Sequence, residues 1–405
     1  MILFSDIYRE DARKGRFLFS LVVSGIAYGL YRGMQDNYLV EILHVTPFDR
    51  GIIEFFREIP GLLVVLFLAM MYQFAESKIF KIGLAIMLAG ITGLFAAPAL
   101  TFFVVLCMII FSIGEHIIMP VKSTISLNLA RPSKGGAALG VTSTINNLGN
   151  IAGYLLVTLI FFVCTKFGFS RDSQLPFKLV LALSSTLLLS ALLIAAALKG
   201  TRLTTARRRF YFARKYQKYY MLEVFYGARK QIFFTFAPLV LIAEYGANTS
   251  LIAFLLALCA GAGMIFSPLV GRLIDRIGFK PVMICDTLIL IAVCFFYGFS
   301  QHFFSHRTAF IIVCVNFIFD SILSLGSMAT NVYVQSISSN KEEITATLST
   351  GISVNHLISI FIALLGGWIW NCTGIEVLFS LSALLGLLNS IYAATIKTAP
   401  LKQRT

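Results

Sequence analysis

The sequence predicts an all-α membrane protein whose twelve transmembrane helices form two pseudo-symmetric bundles of six. Three observations carry that expectation: composition, the recurrence of apolar runs, and the placement of charge. Of the 405 residues, 58% are hydrophobic and 13% charged, with a mean hydropathy of +0.84. A soluble domain carries about 25% charged residues. Too little polar side chain remains to cover such a core with a water-facing shell, so lipid must solvate most of the chain. Apolar runs of about 20 residues, the length that crosses a bilayer, alternate with short polar breaks along the whole sequence.

Taken in order, helices are expected near 17–40, 50–72, 79–98, 101–124, 137–163, 176–198, 220–243, 249–270, 281–300, 308–332, 346–370 and 376–395. The segment 1–16 mixes acids and bases and lacks a short apolar stretch with a cleavage site, so it reads as an N-terminal cytoplasmic segment and not a signal peptide. The first bundle then runs over 17–198, a basic cytoplasmic linker over 199–219, the second bundle over 220–395, and a cytoplasmic tail over 396–405. Helices 1, 2, 4, 7 and 10 contain charged residues, which weakens their hydropathy and is expected of helices that line an aqueous cavity.

Orientation follows from the 33 Lys and Arg residues. The termini and the loops 2–3, 4–5, 6–7, 8–9 and 10–11 hold 23 of them. The opposite side holds five, Arg50, Lys166, Arg171, Lys178 and Arg307, and five more lie inside helices. Such a bias places the basic loops and both termini in the cytoplasm, here of a plasma (inner) membrane, and makes the helix number even. The net charge of +14 is accounted for by this bias, and no nucleic-acid partner is expected. Within the linker, Arg207, Arg208, Arg209, Arg214 and Lys215 interleave with Phe210, Tyr211, Phe212 and Tyr216. That pattern could bind RNA, but a basic amphipathic segment lying on anionic lipid is the expected reading.

The seven cysteines are scattered without CxxC spacing, so neither a disulfide framework nor a zinc site is expected. No phosphate-binding GxxxxGK[ST] loop and no HExxH motif occur, and Glu115-His116 lacks a second histidine at metal spacing. No cofactor and no metal are expected. Asn248 and Asn371 open formal glycosylation sequons. A monomer is expected.

The halves echo each other. Tyr28-Gly29 followed by Arg32 matches Tyr226-Gly227 followed by Lys230, and the break at 72–81 aligns with that at 271–280. Parallel six-helix repeats are a transporter architecture with the binding site between the halves. The segment Gly271-Arg272-Leu273-Ile274-Asp275-Arg276-Ile277-Gly278-Phe279-Lys280 resembles the loop signature of the major facilitator superfamily, G-x-L-a-D-r-x-G-r-r. The corresponding segment after helix 2 departs from the pattern, with Tyr72 at the first Gly position and Glu76 at the Asp position. The resemblance implies a secondary transporter working by alternating access and not an enzyme. It also implies a conformational latch built on Gly271, Asp275, Arg276, Gly278 and Lys280. Positive-inside topology alone would also explain Arg272, Arg276 and Lys280.

Charged groups in mid-membrane are the candidate site, because each costs about 2.5–3.5 kcal/mol on insertion scales if left facing lipid. Helix 1 places Tyr28, Tyr31, Arg32 and Gln35 on one broad face, with Asp36 four residues from Arg32. Helix 2 carries Glu54, Arg57 and Glu58, helix 4 carries Glu115, His116 and Lys122, and helix 7 carries Arg229 and Lys230. Arg32–Asp36 and Arg57–Glu54 can be satisfied pairs that only join helices. Arg229 and Lys230 have no acid within one turn. Cations from helices 1 and 7 would therefore converge on an anionic or zwitterionic solute, with Tyr28, Tyr31, Gln35, Lys122 and Asn331 as further contacts. Paired basic residues on helices 1 and 7 are similar to those of organophosphate/phosphate antiporters in the same superfamily. Asp36, Glu54, Glu58, Glu115 and His116 are candidates for proton coupling. The rival readings are a lipid or drug transporter of the same fold, a non-transporting sensor, and a membrane-embedded enzyme using His116 or His356.

Overall fold

A computed structural model describes residues 6–9, 11–71, 73–132, 134–198 and 212–397. The basic stretch 199–211, Tyr72 and the tail from 398 onward lie outside the described residues, and with them most of the linker expectation. Among the described residues the fold is helical throughout, with one isolated antiparallel bridge between Tyr8 and Ala130. The helices are α1 (Ala12–Asn37), α2 (Pro47–Met70), α3 (Glu76–Ala96), α4 (Thr101–Leu129), α5 (Gly135–Lys166), α6 (Gln174–Ala196), α7 (Gln217–Ala243), α8 (Thr249–Ile277), α9 (Phe279–Phe303), α10 (His306–Leu323), α11 (Met328–Ile337), α12 (Lys341–Thr373) and α13 (Ile375–Ala394).

Ten described spans are long and apolar enough to cross a membrane. One of them, His306–Ile337, joins α10 and α11 through a 3-10 turn at Ser324–Ser327. Helices α2 and α7, of 24 and 27 residues, are long enough but too charged to qualify. They complete the expected twelve. The 3-10 break has a local cause, since hydroxyls there take backbone carbonyls one turn back: Ser324 Oγ donates to Ser321 O at 2.7 Å, Ser327 Oγ to Ser324 O at 2.8 Å and Thr330 Oγ1 to Ser327 O at 2.7 Å. The first span closes on a π-helical turn at Tyr38–Ile42.

Contacts divide the chain into two compact units. The N-terminal unit comprises Met1–His44, Phe56–Ala206 and Ala247–Ala260; the C-terminal unit comprises Val45–Phe55, Arg207–Gly246 and Gly261–Thr405. The units thus differ from the contiguous bundles read from the sequence, because α2 and α8 each divide between them. Within the N-terminal unit α1 packs on α5 and α6, and α3 on α4 and α6. Within the C-terminal unit α7 packs on α12 and α13, and α9 on α10 and α13. With α10 and α11 counted as one span, the two pairing schemes are the same.

The sequence echo at Tyr28-Gly29 and Tyr226-Gly227 has its physical basis here. A Cβ on Gly29 would run into the backbone of Asn150 in α5, and one on Gly227 would meet Ile358 at 2.5 Å and Asn355 O at 3.0 Å in α12. Lipid tails are as apolar as leucine, so helices associate through such close approach and through polar contacts. The surface is accordingly apolar: Leu159 and Leu193 are 56% and 64% exposed, and lipid is the solvent that such a surface suits.

Two connections differ from expectation. The ten-residue signature read as a loop is mostly helix: Gly271–Ile277 forms the end of α8, and Gly278 alone turns into α9 with φ of 87°, a region that favours glycine. Tyr8, placed by the sequence in a plain N-terminal segment, is fully buried. Its hydroxyl donates to Ala138 O at 2.8 Å and lies 3.0 Å from Ser126 Oγ and 3.2 Å from Thr142 Oγ1, so it staples the chain start to α4 and α5.

Candidate functional site

In the N-terminal unit the polar cluster is built from α1, the C-terminal part of α2, and α4. Helix α1 presents Tyr28, Tyr31, Arg32, Gln35 and Asp36; Arg32, Gln35 and Asp36 are almost fully buried. Arg32 Nη1 donates to Gln35 Oε1 at 2.8 Å, and Asp36 acts on Arg32 electrostatically. The rings of Tyr28 and Tyr31 lie against Phe111 of α4 at 6.3 and 4.4 Å. From α2, Arg57 Nη2 pairs with Glu58 at 2.6 Å while its Nη1 lies 3.9 Å from Glu115 of α4. The sequence had offered Glu54 as the partner of Arg57. Arg57 also faces α4, where Glu115 stands.

His116 Nδ1 lies 2.8 Å from Ser112 O, so a proton on that nitrogen is donated to the carbonyl. A His116 ring nitrogen and a Glu58 carboxylate oxygen lie within 4.8 Å of each other. Arg57, Glu58, Glu115 and His116 therefore form one neighbourhood in which a proton and a charge can change hands. One turn and a half beyond, the half-buried Lys122 donates to Asn146 Oδ1 of α5 at 3.3 Å. No carboxylate lies within ion-pair distance of its ammonium among the described residues.

In the C-terminal unit the cluster is built on α7. Arg229 Nη1 pairs with Asp286 Oδ2 of α9 at 2.9 Å. Arg229 is thus not the free cation that its local sequence suggested, because its acid is 57 residues away in the chain. Lys230, next to it, is half-buried and has no ion pair among the described residues. Glu54 belongs to this unit: Arg50 Nη1 donates to Glu54 Oε2 at 2.7 Å, and Gln231 Nε2 reaches Glu54 Oε1 at 3.3 Å. Arg50, assigned by sequence to a water-facing loop, sits in α2 and is 1% exposed. The i,i+4 spacing of Arg50 and Glu54 was a signal that could have found this pair. A further buried acid, Glu223, accepts from Asn355 Nδ2 of α12 at 3.3 Å.

Acids therefore match the cations of α1 and α7 more fully than their sequence neighbourhood implied. Lys122 and Lys230 stand apart as half-buried helix cations without an ion pair among the described residues, one in each unit. Asn331 is exposed on α11. Of the signature residues, Asp275 and Arg276 are exposed and make no ion pair among the described residues, while Lys280 Nζ donates to Ile396 O at 2.9 Å and ties α9 to the end of α13.

Residues 220–404 match the family model described as the Major Facilitator Superfamily. No curated protein sequence matches. Among solved structures, the chain resembles the nucleoside transporter NupG, with a TM-score of 0.75 and 11% identity over 96% of this chain and 100% of that one. It resembles a D-xylose–proton symporter with a TM-score of 0.72 and 13% identity over 95% and 98% of the two chains. A POT family transporter in complex with 5-aminolevulinic acid gives a TM-score of 0.72 and 11% identity over 93% and 94%. At these identities the likeness is one of fold.

Proposed function

We propose that the chain is a transporter of the major facilitator superfamily, that its solute is small and anionic or zwitterionic, and that its movement is coupled to protons; the family match over residues 220–404 and the fold support this reading. Secondary transport is the activity that the partial family match and the fold likeness support. The solute class rests on one observation: Lys122 and Lys230 are half-buried in helices and carry no ion pair among the described residues. A cation in that environment is expensive unless something answers it. A carboxylate or phosphate on the solute would do so through charge-assisted hydrogen bonds. Glu115 acts on Lys122 and Glu223 feels Lys230, which favours a solute that also carries a positive group.

Arg32, Gln35, Tyr28 and Tyr31 supply the polar and aromatic remainder of the solute contacts, with Asn331 as an exposed contact on α11. Arg229 is withdrawn from that set by Asp286. Proton movement is assigned to Glu115, Glu58 and His116, which share Arg57 and its surroundings. Asp36 acts through Arg32, and Glu54 is held in its pair with Arg50. The two six-helix halves, the cytoplasmic termini, a plasma (inner) membrane location, a monomeric state and the latch role of Gly271, Asp275, Arg276 and Gly278 belong to the same proposal. So does contact of the basic linker with anionic lipid.

The test is a thermal-shift screen of the purified protein against anionic, zwitterionic and cationic metabolites. Anionic or zwitterionic compounds are expected to stabilise the wild type and to lose that effect in Lys122→Gln and Lys230→Gln. Stabilisation by cations alone, undiminished in both variants, would overturn the assignment.

A further inference from the structure

The helix pairing of the N-terminal unit leaves a seam between α4 and α5. Helix α4 packs chiefly on α3 and α5 on α1, so the two belong to different packed sets and meet each other along polar groups. Those groups form a ladder. Thr142 Oγ1 donates to Ser126 Oγ at 2.7 Å, and Ser126 Oγ donates to Ala138 O at 3.0 Å. One turn deeper, Lys122 Nζ donates to Asn146 Oδ1 at 3.3 Å. Lys122 and Ser126 on α4, and Ala138, Thr142 and Asn146 on α5, follow one another at four-residue steps, so every rung lies on the facing sides of the two helices.

Tyr8 closes the end of this ladder, with its hydroxyl among Ser126, Ala138 and Thr142. It belongs to the short piece 6–9, in which Asp6 and Arg9 are exposed while the tyrosine is fully buried. The backbone of that piece forms one isolated bridge with the end of α4: Arg131 N donates to Ile7 O at 2.9 Å and Arg9 N to Leu129 O at 3.0 Å. A pairing of two strands with no sheet behind it is marginal in water. The anchor is therefore the tyrosine, one ring and one hydroxyl, and drawing it out uncovers the first rung.

The C-terminal unit repeats the device. Tyr216, in the turn before α7, is fully buried between the exposed Lys215 and Gln217, and its hydroxyl lies 2.7 Å from Ser338 Oγ. Ser338 caps the end of α11 as Ala130, the bridge partner of Tyr8, caps that of α4. Tyr216 follows Tyr8, and Ser338 follows Ala130, by the same interval in the chain. A plug that recurs at one place of the repeat is part of the architecture.

We propose that residues 6–9 are a releasable strap over the α4–α5 seam, and that withdrawal of Tyr8 opens a path along the seam to Lys122. That lysine lies about two turns before the end of α4. Strapped, it is closed off from this end. Released, it is open to water and to the anionic group of the solute, and this functional part rests on the assignment of Lys122 made above. Local opening of this kind needs no unfolding of the unit as a whole.

The experiment uses no solute, so its failure leaves the solute assignment to the thermal-shift screen. In the purified full chain carrying Lys122→Cys, modification by a charged, water-soluble methanethiosulfonate is timed and resolved by peptide mass spectrometry. Hydrogen exchange is followed in the peptide holding the Arg131 amide, which the strap itself protects. Tyr8→Ala should speed both by at least about tenfold, which about 1.4 kcal/mol of lost anchoring suffices to give. Tyr8→Phe, which keeps the ring, should speed both by less. Cys294, 1% exposed in the C-terminal unit, reports on loosening of the whole fold, and its modification should not change. The proposal is overturned if Lys122→Cys reacts no faster in either Tyr8 variant, if exchange at Arg131 is unmoved, or if Cys294 speeds up in step.

Discussion

An ammonium without a carboxylate and an arginine with one have opposite meanings inside a membrane, and the two kinds of residue predict different phenotypes. Lys122→Gln and Lys230→Gln remove a charge from the solute and nothing from the fold. Loss of one charge-assisted hydrogen bond, about 1.5–3 kcal/mol, should raise KM for an anionic solute about ten- to a hundredfold while the thermal midpoint without solute stays unchanged. Arg50→Ala should do the reverse. It takes the salt-bridge partner from the fully buried Glu54, at a cost of about 3–5 kcal/mol, and the measurement is a fall in thermal midpoint and in yield of monodisperse protein. Both lysines were legible in the sequence, because a lysine in an apolar run is visible without knowing its neighbours. The acid that neutralises Arg229 was not, since Asp286 reaches it only when α7 and α9 pack. The partners that α2 gives Glu54 and Arg57 from further away, Gln231 and Glu115, were not legible either, since they arrive only with helix packing.

At the scale of the element, helix positions were readable from hydropathy and their ends were not. Helix α8 runs on through the signature because Arg272, Asp275 and Arg276 are good enough helix residues and only Gly278 forces a turn. The glycines of α1 and α5 lie at a crossing where backbone meets backbone. Gly29→Val should force the pair apart at about 1–3 kcal/mol, whereas Gly140→Ala on α5, with open space around it, should be neutral or slightly stabilising. Thermal midpoints of the two variants decide this. The Tyr8 staple gave no sequence signal, because a tyrosine near a terminus has no periodicity to read. Tyr8→Phe removes one hydroxyl from a network in which Ser126 still donates to Ala138 O and Thr142 to Ser126, so it should cost about 0.5–1.5 kcal/mol, measurable as a lower midpoint.

Just beyond that staple, Asp11 caps α1 by accepting from Arg13 N at 2.8 Å. Hydrogen bonding to Arg13 holds its carboxyl below the usual carboxylate range. A lowered acid contributes its stability above the unfolded value and loses it as pH falls through the folded one. Asp11→Ala should therefore destabilise by about 1 kcal/mol at neutral pH, and the gap to wild type should close in acid below about pH 4.

For the whole molecule, the repeat visible at Tyr28-Gly29 and Tyr226-Gly227 corresponds to one pairing scheme used twice, α1 on α5 and α6, then α7 on α12 and α13. Topology follows from charge counting. Under the proposed cytoplasmic placement of both termini, the exposed Cys372 at the end of α12 should face outward. It should react with a membrane-impermeant maleimide added to intact cells, and Cys372→Ser should abolish that labelling. The most direct test of the account is flux. Proteoliposomes containing the wild type should accumulate the best anionic or zwitterionic compound from the thermal-shift screen, saturably and faster with an inward proton gradient. The Lys122→Gln, Lys230→Gln double variant should not. Uptake no greater than in protein-free liposomes, or unchanged in the double variant, would contradict it.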